Sequence, residues 1–307
     1  MGRGGAKIKV ICASRRTDVP ANKPLLDHLI SALNLGAVTY SHPLFGPTHP
    51  VVYPVSDTDV VSWFSKDFNY FVAAWKEPES HAILARFKHH FSFTICGEHH
   101  SVLEPGLASS LYQRYQQLTE LVEICKSLNQ DPDKSILVRV DPISVYTLAD
   151  SPGIVFDTLD HIPALTSILR ALGLTRLHIS FTQIKSFRRT ATRLARIQDH
   201  IIVEEISAAK QQALLETKLL PFTTGISIET CTARDMVSLG IVKMGACVGQ
   251  SDIESIMGRR LKDRRQVAKC AEMRDCSCYP FQDVGEKHVV CKHGCRYCFA
   301  NPQIYDW

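Results

Sequence analysis

No apolar run in this chain approaches the roughly 20 residues needed to cross a bilayer, so membrane-spanning functions drop out first. The N-terminus lacks the charged start, apolar middle and small-residue cleavage site of a secretion signal. Met1-Gly2-Arg3-Gly4-Gly5-Ala6-Lys7 reads instead as a short basic arm. There is no internal repeat and no long low-complexity linker, which excludes repeat arrays and loosely tethered modules. Net charge is also scarce. A formal +4 over 307 residues does not mark a nucleic-acid binder, because surface lysine and arginine are ordinary. These absences predict a soluble protein of the cytoplasm or another reducing intracellular compartment, with no membrane partner.

Hydrophobic residues make up 45% of the chain, enough to bury a substantial core in one large domain or two modest ones. Cysteine is plentiful: 11 residues, an odd number without a secretion signal. That argues against a disulfide scaffold and for metal ligation. Cys12, Cys96, Cys125, Cys231 and Cys247 are scattered, whereas Cys270, Cys276, Cys278, Cys291, Cys295 and Cys298 crowd into the C-terminal stretch.

Strand and helix signals alternate along the chain. Short β-branched or aromatic runs mark strands at residues 8–12, 37–41, 51–55, 60–64, 91–95, 136–140, 177–181, 222–229 and 241–247. Helical periodicity marks residues 24–33, 80–88, 108–128, 156–172, 233–239 and stretches of 187–218. Such alternation implies βαβ units and a mainly parallel sheet. About seven or eight strands favour a closed or nearly closed TIM-like (β/α) barrel, with a doubly wound open sheet as the alternative. Apolar periodicity fades after about Arg260. The expected division is a barrel over 1–260 and a cysteine-rich iron–sulfur extension over 261–307, packed on the barrel rim.

The strands share polar C-terminal ends: Ser14-Arg15-Arg16, Ser65-Lys66, Arg139-Val140-Asp141, Ser180-Phe181-Thr182 and Glu229-Thr230-Cys231. In barrels this rim carries the active site. Candidate site residues are therefore Arg15, Arg16, Asp18, Lys66, Arg139, Asp141 and Glu229. Arg15 and Arg16 suit a carboxylate or phosphate of cofactor or substrate, and Asp18 could orient one of them. Arg139 and Asp141 read equally well as a structural bridge. The doublets His89-His90 and His99-His100 read as solvated loop histidines.

Cys291, Cys295 and Cys298 are separated by three and then two residues. Thiolates so spaced can hold three irons of a 4Fe-4S cubane and leave the fourth open, unlike fully ligated electron-transfer clusters. Gly294 lets the loop turn tightly, and Tyr297 can pack against the cofactor. The alternatives are a zinc site, usually built from paired C-x-x-C or C-x-H units, and no metal. Cys231, Cys247, Cys276 and Cys278 could supply a second cluster; alternatively Cys231 and Cys247 are ordinary buried cysteines.

The three-then-two spacing, with an aromatic before the last cysteine, resembles the signature of radical S-adenosylmethionine enzymes. Almost the whole chain also resembles a family catalogued as a domain of unknown function with a radical-SAM-like cysteine cluster at its C-terminus. The resemblance rests on Ser14-Arg15-Arg16-Thr17-Asp18-Val19-Pro20, Leu103-Glu104-Pro105, Asp141-Pro142-Ile143, Cys276-x-Cys278, Asp283-Val284-Gly285 and Cys291 through Asn301. It implies an iron–sulfur enzyme binding S-adenosylmethionine at the open iron, with an electron donor as partner. The chain departs from the family pattern at Trp63-Phe64-Ser65-Lys66-Asp67-Phe68, where Phe68 stands in place of a proline, and at Val138-Arg139-Val140, which replaces an aromatic pair. Its cysteines also lie at the opposite end of the chain from those of most radical-SAM enzymes, and no clear Gly-Gly-Glu follows a second strand.

Two basic segments could grip a phosphate backbone. Arg189, Arg193 and Arg196 share helical spacing, and Arg259, Arg260, Arg264 and Arg265 precede the cysteine tail. Nucleic-acid modification or repair is one substrate reading. A non-catalytic zinc- or cluster-stabilised binding protein and an iron–sulfur electron-transfer or redox-sensing protein are the competing functions.

Overall fold

The computed structural model describes residues 9–14, 17–42, 46–262, 278–285 and 289–298. Eight strands form one large sheet: β1 (Val10–Cys12), β2 (Val60–Ser65), β3 (Lys88–Thr94), β4 (Ile136–Ile143), β5 (Arg176–Phe181), β6 (Ser227–Thr230), β7 (Lys243–Met244) and β8 (Gln282–Asp283). Their spatial order is β7-β6-β5-β4-β3-β2-β1-β8, and each pairing is parallel. Spatial order thus follows chain order until the last strand, which returns to lie beside the first. The cysteine-rich tail contributes that strand, pairing Ile11 with Gln282 and Cys12 with Asp283. At the opposite edges of the sheet, the Tyr279 N–H donates to the Val248 carbonyl at 2.8 Å.

Strand side chains alternate between two faces. Ile11, Val61, Trp63, Phe91, Phe93, Val138, Val140, Leu177 and Ile179 share one apolar cluster with helix residues such as Leu26, Leu29, Leu121, Leu165 and Leu169. Burying each large side chain there contributes about 1.5–3 kcal/mol. The opposite face carries Cys12, Ser62, His90, Ser92, Arg139, His178 and Ser180, all buried as well. Both faces being covered explains why β2 and β4 show little apolar–polar alternation in burial.

Local signals place the helices that cover the apolar face. Asn22 caps Lys23–Asn34 by accepting from the Leu25 N–H, and Pro24 suits its first turn. Ser110 and Gln113 form a reciprocal capping box at the start of Leu111–Ser127. On the opposite face, Gln250–Met257 packs Ile253 and Ile256 against Val10 and Val60 at the strand starts, and its Asp252 pairs with Arg176 at 3.0 Å.

Several sequence expectations change. The runs at 37–41 and 51–55 form an antiparallel hairpin (Ala37–His42 with Gly46–Pro54) outside the large sheet. The helix expected over 156–172 begins only at Ile162, because Val155–Asp157 joins a small sheet with Val145–Leu148 and Ile201–Val203. His89 and His90 are not loop residues: they lie within β3 and are fully buried. Strand pairing overrides their polarity because each finds a partner, His89 on Trp63 and the Leu84 carbonyl, His90 on Ser62. Phe68, the departure from the family pattern, sits in the apolar cluster, 4.8–6.0 Å from the rings of Phe71, Phe91 and Phe93. Among the described residues no helix is long and apolar enough to cross a membrane.

Candidate functional site

Three residues from far-apart segments organise the C-terminal rim of the sheet. The Asp18 carboxylate accepts from the Ser65 hydroxyl (2.6 Å), the Lys66 N–H (2.8 Å) and, across 2.7 Å, pairs with His293 Nε2. Lys66, just past β2, places its ammonium 2.7 Å from Glu104 and donates to the Asp141 carbonyl at 3.2 Å. Glu104 is buried and also meets His100 Nδ1 at 3.5 Å and the Tyr297 hydroxyl, which donates to it. Asp18 and Glu104 therefore bind the cysteine loop from two sides, and Lys66 ties them together.

The loop itself, residues 289–298, is held largely through its backbone. Thr17 Oγ1 donates to the Val289 carbonyl at 2.9 Å, and the Gly106 N–H to the His293 carbonyl at 3.0 Å. Arg296 N–H donates to the Leu103 carbonyl (2.9 Å), and Thr190 Oγ1 to the Tyr297 carbonyl (2.8 Å). The Arg193 guanidinium donates to the Cys298 carbonyl. Gly294 has φ of 58°, the left-handed turn that glycine favours. Gly106 is needed for another reason: a Cβ there would lie 1.9 Å from the Lys292 carbonyl oxygen.

The electrostatics follow from burial and these pairings. Burial disfavours the Glu104 charge, but Lys66 and His100 outweigh it and hold the carboxyl well below its usual range. Burial likewise opposes a charged His100, yet Cys96 and Glu104 push it up to about 10. Cys96 is drawn down: burial resists, but His100 and Lys66 prevail. Cys96, His100 and Glu104 have ligand atoms within 4.8 Å of one another. Two cations already face these two acids, so the charges compensate without an added ion. In the loop the trend reverses. Burial, with Asp18 nearby, pushes Cys291 up to about 11, and burial, with Glu104 and the neighbouring thiols, pushes Cys295 well above its usual range.

Cys295, Cys298 and Tyr297 form part of the wall of a cavity of about 210 Å³. Lys66, Arg139, Asp141, Ser180 and Thr190 line the same space, with Phe64, Phe181 and Phe187 as its apolar walls. Arg139 and Asp141 are indeed ion-paired, and Ser180 donates to the same carboxylate, so the pair is a bridge that also faces the cavity. Cys247 also lines the cavity. Its sulfur lies 3.9 Å from Cys231 Sγ and contacts the Cys278 thiol.

The structure thus gathers Asp18, Lys66, Arg139, Asp141, Tyr297, Cys291, Cys295 and Cys298 about one rim, with Cys231, Cys247 and Cys278 beside it. Arg15, Arg16 and Cys276 lie outside the described residues, as do Cys270, Arg264, Arg265 and Asn301. Glu229 does not join the rim. The charges that act on it are those of Arg176, Asp252, Lys134 and Lys243, and burial raises its pKa against the pull of Arg176. Arg189 and Arg196 are exposed, but Arg193, between them in the spacing, turns inward to the loop. Arg259 and Arg260 are exposed. Sequence reasoning assigned no site role to Cys96, His100, Glu104, His178, Thr190 or His293. Glu104 and His293 carried a signal, inside Leu103-Glu104-Pro105 and Cys291 through Asn301, and the Glu104 partner Tyr297 is 193 positions away.

Fold and rim together define a parallel α/β protein with a cysteine-rich polar site at the strand C-termini. The chain belongs to a family described as a domain of unknown function (DUF1848), whose profile matches residues 10–300. No curated protein matches it.

Proposed function

We propose that this chain is a radical-S-adenosylmethionine-type iron–sulfur enzyme, with Cys291, Cys295 and Cys298 as ligands of a 4Fe-4S cluster. The carrying observation is that the three-then-two thiol loop is clamped over a cavity into which Lys66, Arg139 and Asp141 are set, with Cys295 and Cys298 in the cavity wall. The donor set fits such a group. Burial and the neighbouring thiols raise the cost of ionising Cys291 and Cys295, a cost that a cationic cluster offsets. When bound, a four-iron cluster with one open iron supplies both a coordination position for the methionine part of S-adenosylmethionine and an electron for its reductive cleavage. The electron comes from a separate donor protein or reductant.

The chain's own residues bind and orient. Lys66 and Arg139 present cations and Asp141 and Ser180 present acceptors to whatever occupies the cavity. Tyr297, anchored on Glu104, fixes the loop between its last two cysteines. Phe64, Phe181 and Phe187 exclude water from one side.

We further infer that the large sheet closes into an eight-stranded (β/α) barrel. Its polar face is buried although the apolar helix cluster lies on the other side, which a sheet curled on itself explains. Sequential strand order and the Tyr279–Val248 hydrogen bond between the sheet's edges support the same reading.

Oxygen-free purification tests the cluster. The expected protein is brown, carries about four irons per chain and absorbs near about 400 nm. Once reduced, it converts S-adenosylmethionine to 5′-deoxyadenosine. Serine at all three loop cysteines should abolish colour and cleavage. Colourless wild-type protein, or a reconstituted cluster without cleavage, overturns the proposal.

A further inference from the structure

We infer that Cys231, Cys247, Cys278 and His178 form a second, mononuclear metal site that binds Zn²⁺ and clasps the two edges of the sheet. The four residues come from four places: His178 from β5, Cys231 from just past β6, Cys247 from the loop after β7, and Cys278 from the approach to β8. Ligand atoms of His178, Cys231 and Cys247 all lie within 4.8 Å of one another. His178 is fully buried, and among the described residues neither ring nitrogen has a hydrogen-bond partner. A buried imidazole without partners is costly in a sheet where His89 and His90 are both hydrogen-bonded. A metal ion between the ring and the thiols supplies the missing partner.

Geometry selects a single ion over a cluster. Two thiolates on one tetrahedral zinc, each at 2.3 Å, lie about 3.8 Å apart. Cys231 and Cys247 sulfurs are 3.9 Å apart. Thiolates on different irons of a cubane are much farther apart. A two-iron centre could accept this sulfur pair on one iron, but it would place the ligand of its other iron away from both sulfurs, whereas the imidazole stays close to both. Three thiolates and one imidazole are a common closed tetrahedral zinc set. The expectation of a second iron–sulfur cluster on Cys231, Cys247, Cys276 and Cys278 gives way to this assignment.

The site's position suggests what it does. The β7 and β8 edges meet at the Tyr279–Val248 hydrogen bond, with no ladder between the two strands among the described residues. Cys278 and Cys247 each stand one residue from that bond. Metal bridging there holds the last strand of the tail against the body of the sheet, so binding free energy becomes folding free energy.

The test compares wild type, the C291S/C295S/C298S triple variant and H178A, each as full chain purified without oxygen, by elemental analysis for zinc and iron. Wild type and the triple variant should each hold about one zinc per chain, with iron lost only from the triple variant. H178A should lose at least half its zinc and keep the loop iron. Should H178A fail to fold, zinc-edge X-ray absorption of wild type decides instead, with three sulfurs near 2.3 Å and one nitrogen near about 2.0 Å expected. Zinc absent from wild type, iron persisting in the triple variant, or an oxygen-rich zinc shell each overturns the assignment. Zinc in the triple variant stands whether or not the loop cluster proves real, so the two proposals fail separately.

Discussion

The rim beneath the cysteine loop and the interior of the sheet are both buried and both polar, yet they are held in opposite ways. At the rim, charges are matched: Lys66 and His100 surround Glu104, and His293 faces Asp18. Inside the sheet, histidines stay neutral. Burial, opposed by the Leu84 carbonyl, lowers His89 to about 4, and burial with Arg176 lowers His90 to about 3. The rim can hold charge because segments of opposite sign converge there. His89 and His90 cannot, because they bond to an indole, a carbonyl and a serine, and Arg176 adds a like charge near His90. The chain matches its charges at the strand ends, at the rim and in the Arg176–Asp252 pair, and keeps neutral groups between them.

The largest way to break this contrast is Glu104→Gln. It leaves two buried cations without their carboxylate and should cost about 3–5 kcal/mol in denaturant unfolding. Iron retention by the loop should fall with it. A variant as stable as wild type would mean the rim charges are solvated.

pH separates the two regions next. His89 and His90 have folded pKa values below the free value, so their stability is full above about pH 6.5 and lost as pH falls toward 4 and 3. At pH 5 each should cost about 2 kcal/mol, read as a lower urea midpoint. His100 has the opposite sign. Its contribution is full below about pH 6.5 and is lost as pH rises through about 10. Acid should therefore loosen the sheet, and alkali the loop anchorage. Equal acid sensitivity in a His89→Gln, His90→Gln double variant would contradict the first half.

Gly106→Ala gives the smallest effect and the sharpest. It adds one methyl group against the Lys292 carbonyl and touches no charge. About 1–3 kcal/mol of destabilisation is expected, with faster iron loss on chelator challenge and an unchanged acid midpoint. No change in iron retention would mean the loop is not seated on Gly106.

Legibility differed in the same way between local and distant features. The cysteine spacing, the parallel strand–helix alternation and the polar strand ends could be read because each is a pattern within a few neighbouring residues. Arg139 and Asp141 were found as strand-end residues that suited a structural bridge or substrate ligation equally, and only the structure pairs them. His89 and His90 were misread, since a doublet says nothing about strand burial when the partners, Trp63 and Ser62, lie on another strand. Arg193 was read as part of a basic face that could grip a phosphate backbone, because its spacing matches one, yet its guanidinium serves a carbonyl 105 positions away. His178 had no signal, because an imidazole in an apolar strand reads like any other core residue.

Taken alone, the sequence determined most of the strands and helices, the α/β class and the thiol spacing, because hydrophobic period and ligand spacing are short-range properties of a chain. Tertiary structure alone decided what that loop rests on and which scattered thiols meet. Glu104 finds Tyr297, and His178 finds Cys231 and Cys247, only after parallel strands have brought distant segments to one rim. Contact between residues far apart in the chain depends on the packing of everything between them.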